Sequence, residues 1–164
     1  MRKQRGFSLI ELLIVVSIIL IIAAIAIPGL IKARISANQA SAVESMRTIM
    51  TANSAYQTSF GAFAPTILAL GGPSAAACAP GVPPTSTQFC FLDATLAAAT
   101  TPATGKSGYV FTYAVAGLNN SAYTLNADAV SQGQTGDNHY FADQTQVIRY
   151  SSTAPATAAD AVIQ

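Results

Sequence analysis

The chain reads as an α+β protein. One long N-terminal α-helix, membrane-spanning in its first half and amphipathic in its second, packs against a small antiparallel β-sheet of about four strands. Three observations predict this. From Leu12 to Ile31 the sequence is apolar and carries no charge. Apolar residues then recur at helical spacing as far as Phe60. The C-terminal third changes to short aromatic and β-branched segments separated by turn residues.

The apolar run is long enough to cross a bilayer. At 1.5 Å per residue it reaches about 30 Å, the thickness of the hydrocarbon core. Ser17 is its only clearly polar side chain. Arg2, Lys3 and Arg5 precede it, against Lys32 and Arg34 beyond it, so the positive-inside bias holds the N-terminus in the cytoplasm and places the rest outside the inner membrane. Pro28-Gly29 interrupts the helix near its outer end, because proline removes a backbone hydrogen bond and clashes with the preceding turn.

The helix then resumes. Ala42, Met46, Ile49, Asn53, Tyr56 and Phe60 follow at 4-3-4-3-4 spacing, widened by Val43 and Met50, while Arg34, Gln39, Glu44 and Arg47 fall largely on other faces. Gly61 offers a C-terminal stop. Residues 61–107 read as a connecting region broken by Gly71-Gly72-Pro73 and by Pro80, Gly81, Pro83 and Pro84, with a short helix over Leu92–Ala99. The sheet is expected over 108–152. Tyr109–Val115 and Ala122–Ala127 are joined by Gly117-Leu-Asn-Asn120, and His139–Ala142 and Val147–Tyr150 by Asp143-Gln-Thr-Gln146. Residues 153–164, rich in Ala and Thr, are expected to lie loosely on the surface.

Cys78 and Cys90 suit an oxidising compartment, and a bridge between them would stabilise by roughly 3 kcal/mol in the chain-entropy model. A pair of free thiols is the alternative. A zinc site would need four ligands, and His139 is the one histidine available to join the two thiols.

Only 9% of the 164 residues are charged and 51% are apolar, which excludes a basic nucleic-acid surface. Nor does the chain carry an activated serine or cysteine arrangement or a phosphate-binding glycine loop, so an enzyme is not expected, nor a cofactor. The aromatics at helical spacing read as packing rather than as a path for electrons.

The head of the chain is the most specific motif. Met1-Arg-Lys-Gln-Arg-Gly6 is basic and short, and Phe7-Ser-Leu-Ile-Glu11 leads into the apolar run. A secretory signal places its cleavage site after the apolar core, whereas the processing-like junction here, Gly6-Phe7, lies before it. This order of parts resembles the prepilin signal of type IV pilins and type II secretion pseudopilins, closely over residues 1–35. Two looser stretches, Phe60–Gly72 and Phe141–Tyr150, resemble the same superfamily without choosing a branch.

The resemblance implies a pilin fold and a set of roles. A membrane aspartyl prepilin peptidase would remove residues 1–6 by cutting between Gly6 and Phe7 and would methylate the new amine of Phe7. That cut takes away Arg2, Lys3 and Arg5 and leaves five basic against seven acidic side chains, a formal net of −2 before termini. Glu11 would pair with the Phe7 amine of a neighbouring copy during assembly. An isolated charge deep in a bilayer costs about 2.5–3.5 kcal/mol on insertion scales. An ion pair at 4 Å is worth up to about 4 kcal/mol at an effective dielectric near 20. Pro28 and Gly29 would form a point of helix flexibility.

The implied product is a homopolymer built by inner-membrane assembly machinery: an extracellular pilus for adhesion, motility or DNA uptake. A periplasmic pseudopilus that drives secretion is the alternative, and a single-pass protein with a non-polymerising binding domain a second. One departure stands out, since many type IV pilins place their disulfide near the C-terminus whereas this cysteine pair lies in the connecting region. Major pseudopilins often hold calcium in a C-terminal loop, and Asp128, Asp137, Asn138 and Asp143 would supply oxygens; turn formation explains these residues equally, and no metal is assigned. Asn119-Asn120-Ser121 fits a glycosylation triplet and also a turn, the reading preferred.

Overall fold

A computed structural model describes residues 8–72, 78 and 83–163. It divides into two compact units, one ending at Arg34 and one starting at Ile35. Helix α1 (Leu9–Phe60, 52 residues) contains Pro28 in its interior. The expected interruption at Pro28-Gly29 is therefore corrected: the assigned helix is continuous. Proline removes a single hydrogen bond, here the one the Ala24 carbonyl would accept, and the turns on either side hold the helix together. Gly61 ends it in the left-handed region at φ +76°, its N–H donating to the Gln57 carbonyl at 2.8 Å.

Residues 61–107 carry two short helices. Helix α2 (Ile67–Gly71) was not expected from the sequence; the Thr66 hydroxyl caps it by accepting from the Ala69 N–H. Helix α3 (Ala94–Ala97), capped by the Asp93 carboxylate, lies inside the expected Leu92–Ala99.

The sheet is a five-stranded antiparallel meander in sequence order: β1 (Tyr109–Ala116), β2 (Ala122–Ala129), β3 (His139–Asp143), β4 (Arg149–Ser151) and β5 (Ala161–Val162). The small antiparallel sheet of about four expected strands is present, extended by a fifth two-residue strand. It comes from the segment expected to lie loosely: β5 pairs with β4, the Ile163 N–H donates to the Ile148 carbonyl at 2.9 Å, and Ala156 is buried. Two residues of strand carry too little periodicity to be seen in a sequence.

Both hairpins form, the second with β4 starting at Arg149 rather than at the expected Val147. Gly117, Asn119 and Asn120 take positive φ between β1 and β2, and Asp143 caps the turn to β4 by accepting from the Thr145 N–H at 2.9 Å.

The core of the C-terminal unit lies between α1 and one sheet face. Ala42, Met46, Ile49, Asn53 and Tyr56 of the stripe are buried, with Tyr109, Phe111, Tyr123, Leu125 and Ala127 opposite; Phe60, at the end of the stripe, stays partly exposed. Asn53 is the polar member and is fully enclosed (0% exposed). Its amide nitrogen donates to the Tyr113 hydroxyl at 2.8 Å and its oxygen accepts from the Ala64 N–H at 3.0 Å. The Tyr113 hydroxyl donates in turn to the Ala64 carbonyl at 2.8 Å, closing a half-buried ring of three hydrogen bonds. That ring ties α1, the segment after it and β1 together.

Candidate functional site

The candidate site is the N-terminal part of α1. Gly6 and Phe7, the expected cleavage and methylation positions, lie outside the described residues. From Leu9 onward, every Leu, Ile and Val as far as Ile31 is exposed, Leu9 at 81% and Ile25 at 78%. Among the described residues this is the one helix long and apolar enough to cross a membrane. The one hydroxyl between Leu9 and Ile31 is satisfied internally, Ser17 donating to the Ile14 carbonyl at 2.8 Å. A contiguous apolar surface of this length exceeds what a soluble monomer exposes and must be covered by lipid or protein.

The helix starts at Ser8, whose carbonyl accepts from the N–H groups of Glu11 and Leu12 at 3.1 and 3.2 Å. Glu11 stands in the first turn. There a carboxylate meets the positive end of the helix dipole, worth about 0.3–1 kcal/mol. Ser8-Leu-Ile-Glu11 also has capping-box spacing, a signal the sequence reading missed. Yet among the described residues no hydrogen bond or ion pair engages the Glu11 carboxylate: the hydrogen bonds there are backbone ones, and the ion pairs are Lys106–Asp93 and His139–Asp128.

The remaining site residues separate. Pro28 and Gly29 lie inside α1, and a side chain added at Gly29 would meet nothing within 4 Å. Cys78 and Cys90 are bridged, with Cα atoms 5.4 Å apart. Of the four oxygen-bearing residues considered for calcium, Asp128 binds His139 Nδ1 at 2.7 Å, Asp143 caps its turn, and the Asn138 carbonyl accepts from the Tyr109 hydroxyl at 2.9 Å. Among the described residues no three His, Cys, Asp or Glu side chains gather as a metal site.

Residues 1–27 match the family described as the prokaryotic N-terminal methylation motif. The chain is 46% identical over 54 residues to the type IV major pilin protein PilA of Myxococcus xanthus, covering 33% of this chain and 24% of that protein. It is 60% identical over 38 residues to the type IV wide pilus major component PilA4 of Thermus thermophilus, covering 23% and 29%. The chain thus spans about a quarter of the length of these curated relatives. No solved structure matches it.

The methylation motif leading into an exposed apolar helix is thus shared with the matched family over residues 1–27, and the N-terminal segment is similar to those of two type IV pilus major subunits. Behind that segment stands a long helix with a small antiparallel sheet, consistent with the pilin α+β fold.

Proposed function

We propose that the chain is a structural subunit of a type IV pilus-like filament that polymerises through its N-terminal helix after leader cleavage. The observation that carries this reading is the uncovered apolar surface from Leu9 to Ile31, directly behind a methylation motif. Before assembly the surface lies in the inner membrane, with the basic N-terminus in the cytoplasm and residues beyond about 32 outside. A prepilin peptidase cuts Gly6-Phe7 and the Phe7 amine is methylated.

The helix then exchanges lipid for copies of itself. Apolar burial alone gives little net drive in that exchange, because lipid tails are as apolar as leucine. Specificity therefore falls to close packing and to Glu11, whose unengaged carboxylate pairs with the Phe7 amine of a neighbour and sets the axial register. Assembly machinery in the inner membrane supplies the work. Under tension the helix opens at Pro28-Gly29, where a hydrogen bond is already missing.

The test is mass spectrometry of sheared filaments beside the membrane fraction. Abundant filaments whose subunits begin with N-methylated Phe7 support the reading. Processed protein confined to the envelope points to a pseudopilus, and protein retaining Met1–Gly6 throughout sinks polymerisation altogether. The Glu11→Ala variant should insert normally and fail to assemble; wild-type filament yield from it would remove the register role.

A further inference from the structure

A groove runs along the second half of α1, between that helix and the strands β4 and β5. It encloses about 890 Å³ and continues past Arg47 toward Gln146. Its walls carry apolar surface, Val43 on the helix side and Tyr150, Val162 and Ile163 on the strand side. Two charged side chains of α1 stand in it, Glu44 and Arg47, about one helical turn apart.

Both charges are unengaged. Of the cationic side chains beyond Ile35, Lys106 pairs with Asp93 at 3.6 Å and Arg149 Nη1 donates to the Asp160 carbonyl at 2.9 Å. Among the described residues no hydrogen bond or ion pair engages the Arg47 guanidinium or the Glu44 carboxylate, and the two do not pair with each other.

An apolar trough with one unengaged charge of each sign fits an occupant of the same make-up. The start of the processed chain, Phe7-Ser-Leu-Ile-Glu11, has it: three apolar side chains, an amine at one end and a carboxylate four residues on. Four residues separate that pair and three separate Glu44 from Arg47, both close to the 3.6 residues of a helical turn. With the two chains parallel, the amine meets Glu44 and Glu11 meets Arg47. With the chains antiparallel, like charges would face each other, so the groove also selects polarity.

The charges of the helix start need such partners. A carboxylate accepts at about four positions and an ammonium donates more than one hydrogen bond. Pairing Glu11 with one neighbouring amine leaves most of these positions open, and an ion pair taken out of water is favourable only when they are filled.

We propose that this groove seats the first turn of another copy's N-terminal helix, Arg47 holding its Glu11 and Glu44 its Phe7 amine. The inference rests on the filament reading and adds to it a contact between the C-terminal unit of one copy and the helix start of another.

The experiment is photo-cross-linking in filaments of the full chain carrying Tyr150→benzoylphenylalanine or, separately, Val162→benzoylphenylalanine, both at exposed positions. Trypsin releases the processed N-terminus as the peptide Phe7–Lys32, which mass spectrometry of the cross-linked dimer band identifies. That peptide is the expected partner. Arg47→Glu should lower filament yield about tenfold or more, and Arg47→Lys should retain it. The thermal midpoint of the purified chain should be unchanged in both, because Arg47 has no partner within its own C-terminal unit. Cross-links that land elsewhere in intact filaments, or wild-type filament yield from Arg47→Glu, would overturn the docking and leave the filament standing. A lowered midpoint would assign Arg47 to the fold and overturn it too. Absence of filaments from the unsubstituted chain would sink both readings.

Discussion

The hydrogen-bonded ring through Asn53, Tyr113 and Ala64 makes a quantitative prediction. In Asn53→Ala, two hydrogen bonds disappear, each worth about 1 kcal/mol net. The Ala64 N–H, fully buried, is then left without its acceptor, which costs a further 1–3 kcal/mol or so. The expected destabilisation is about 3–5 kcal/mol. For a unit of this size that lowers Tm by roughly 10–20 °C. Asn53→Leu restores the lost volume but neither the donor nor the acceptor, so it should recover less than half of the loss. Tyr113→Phe removes the hydroxyl that links the amide to the Ala64 carbonyl and should cost about 2–3 kcal/mol. The double variant should cost less than the sum of the singles by about 1–2 kcal/mol, since the two side chains share one bond. Urea titration of the detergent-solubilised full chain, followed by circular dichroism, measures all four. If Asn53→Leu matched the wild type, the ring would be packing with incidental hydrogen bonds, and this reasoning would fail.

Stability should also fall at alkaline pH. Burial, and next Asp143, push the Tyr123 phenol up to about 12, and burial likewise raises Tyr113 and Tyr109 above the ordinary value of 10.0. The folded protein therefore keeps protons that the unfolded chain releases. This contribution is complete below pH 10 and is lost as pH rises toward 12, on the order of 2–3 kcal/mol for Tyr123 alone. A urea midpoint flat between pH 9 and 11.5 would contradict it. Opening the bridge with Cys78→Ser/Cys90→Ser should cost about 3 kcal/mol, read as a lower thermal midpoint of the purified chain. Gly71→Ala should destabilise by about 1–3 kcal/mol, because the new Cβ would stand 2.6 Å from the Ala97 Cβ and 3.2 Å from the Leu92 oxygen. Gly29→Ala meets no atom and replaces a poor helix former, so it should leave folding intact while stiffening the helix, measurable as reduced filament extension under load.

The long helix and the first four strands were legible because each carries a period: an apolar run, a 4-3-4 stripe, and aromatic alternation. The missed parts depend on single atoms or distant partners. Helix α2 rests on one threonine hydroxyl capping five residues. Strand β5 exists because β4 presents a free edge to it, a tertiary fact with no local signature. Asn53 was visible as the polar member of an apolar stripe, but its partners Tyr113 and Ala64 lie 60 and 11 residues away. At the candidate site the methylation motif was legible in the sequence, whereas the capping-box spacing of Ser8 and Glu11 was not noticed. The break at Pro28 was over-read, because a lost hydrogen bond weakens a helix without ending it.

Glu11 shows how the magnitudes divide between local and intermolecular roles. The helix dipole and the capping-box spacing give a carboxylate there a reason to exist even in an isolated subunit. Those local gains are about 0.3–1 kcal/mol for the dipole and of the order of 1 kcal/mol for a cap. Taking a charge toward the bilayer centre costs about 2.5–3.5 kcal/mol, less near the surface. Local terms alone therefore balance the cost only while Glu11 stays among the headgroups. Once the helix leaves lipid for a protein interior, the carboxylate loses that water and requires a cation at close range. The nearest cationic side chains of the same chain toward the C-terminus are Lys32 and Arg34, some twenty residues along the helix and about 30 Å away. In the proposed processing, Arg2, Lys3 and Arg5 would depart with the leader. If the proposed cleavage before Phe7 takes place, the new N-terminal amine of a neighbouring copy would be a cation able to meet an assembled Glu11.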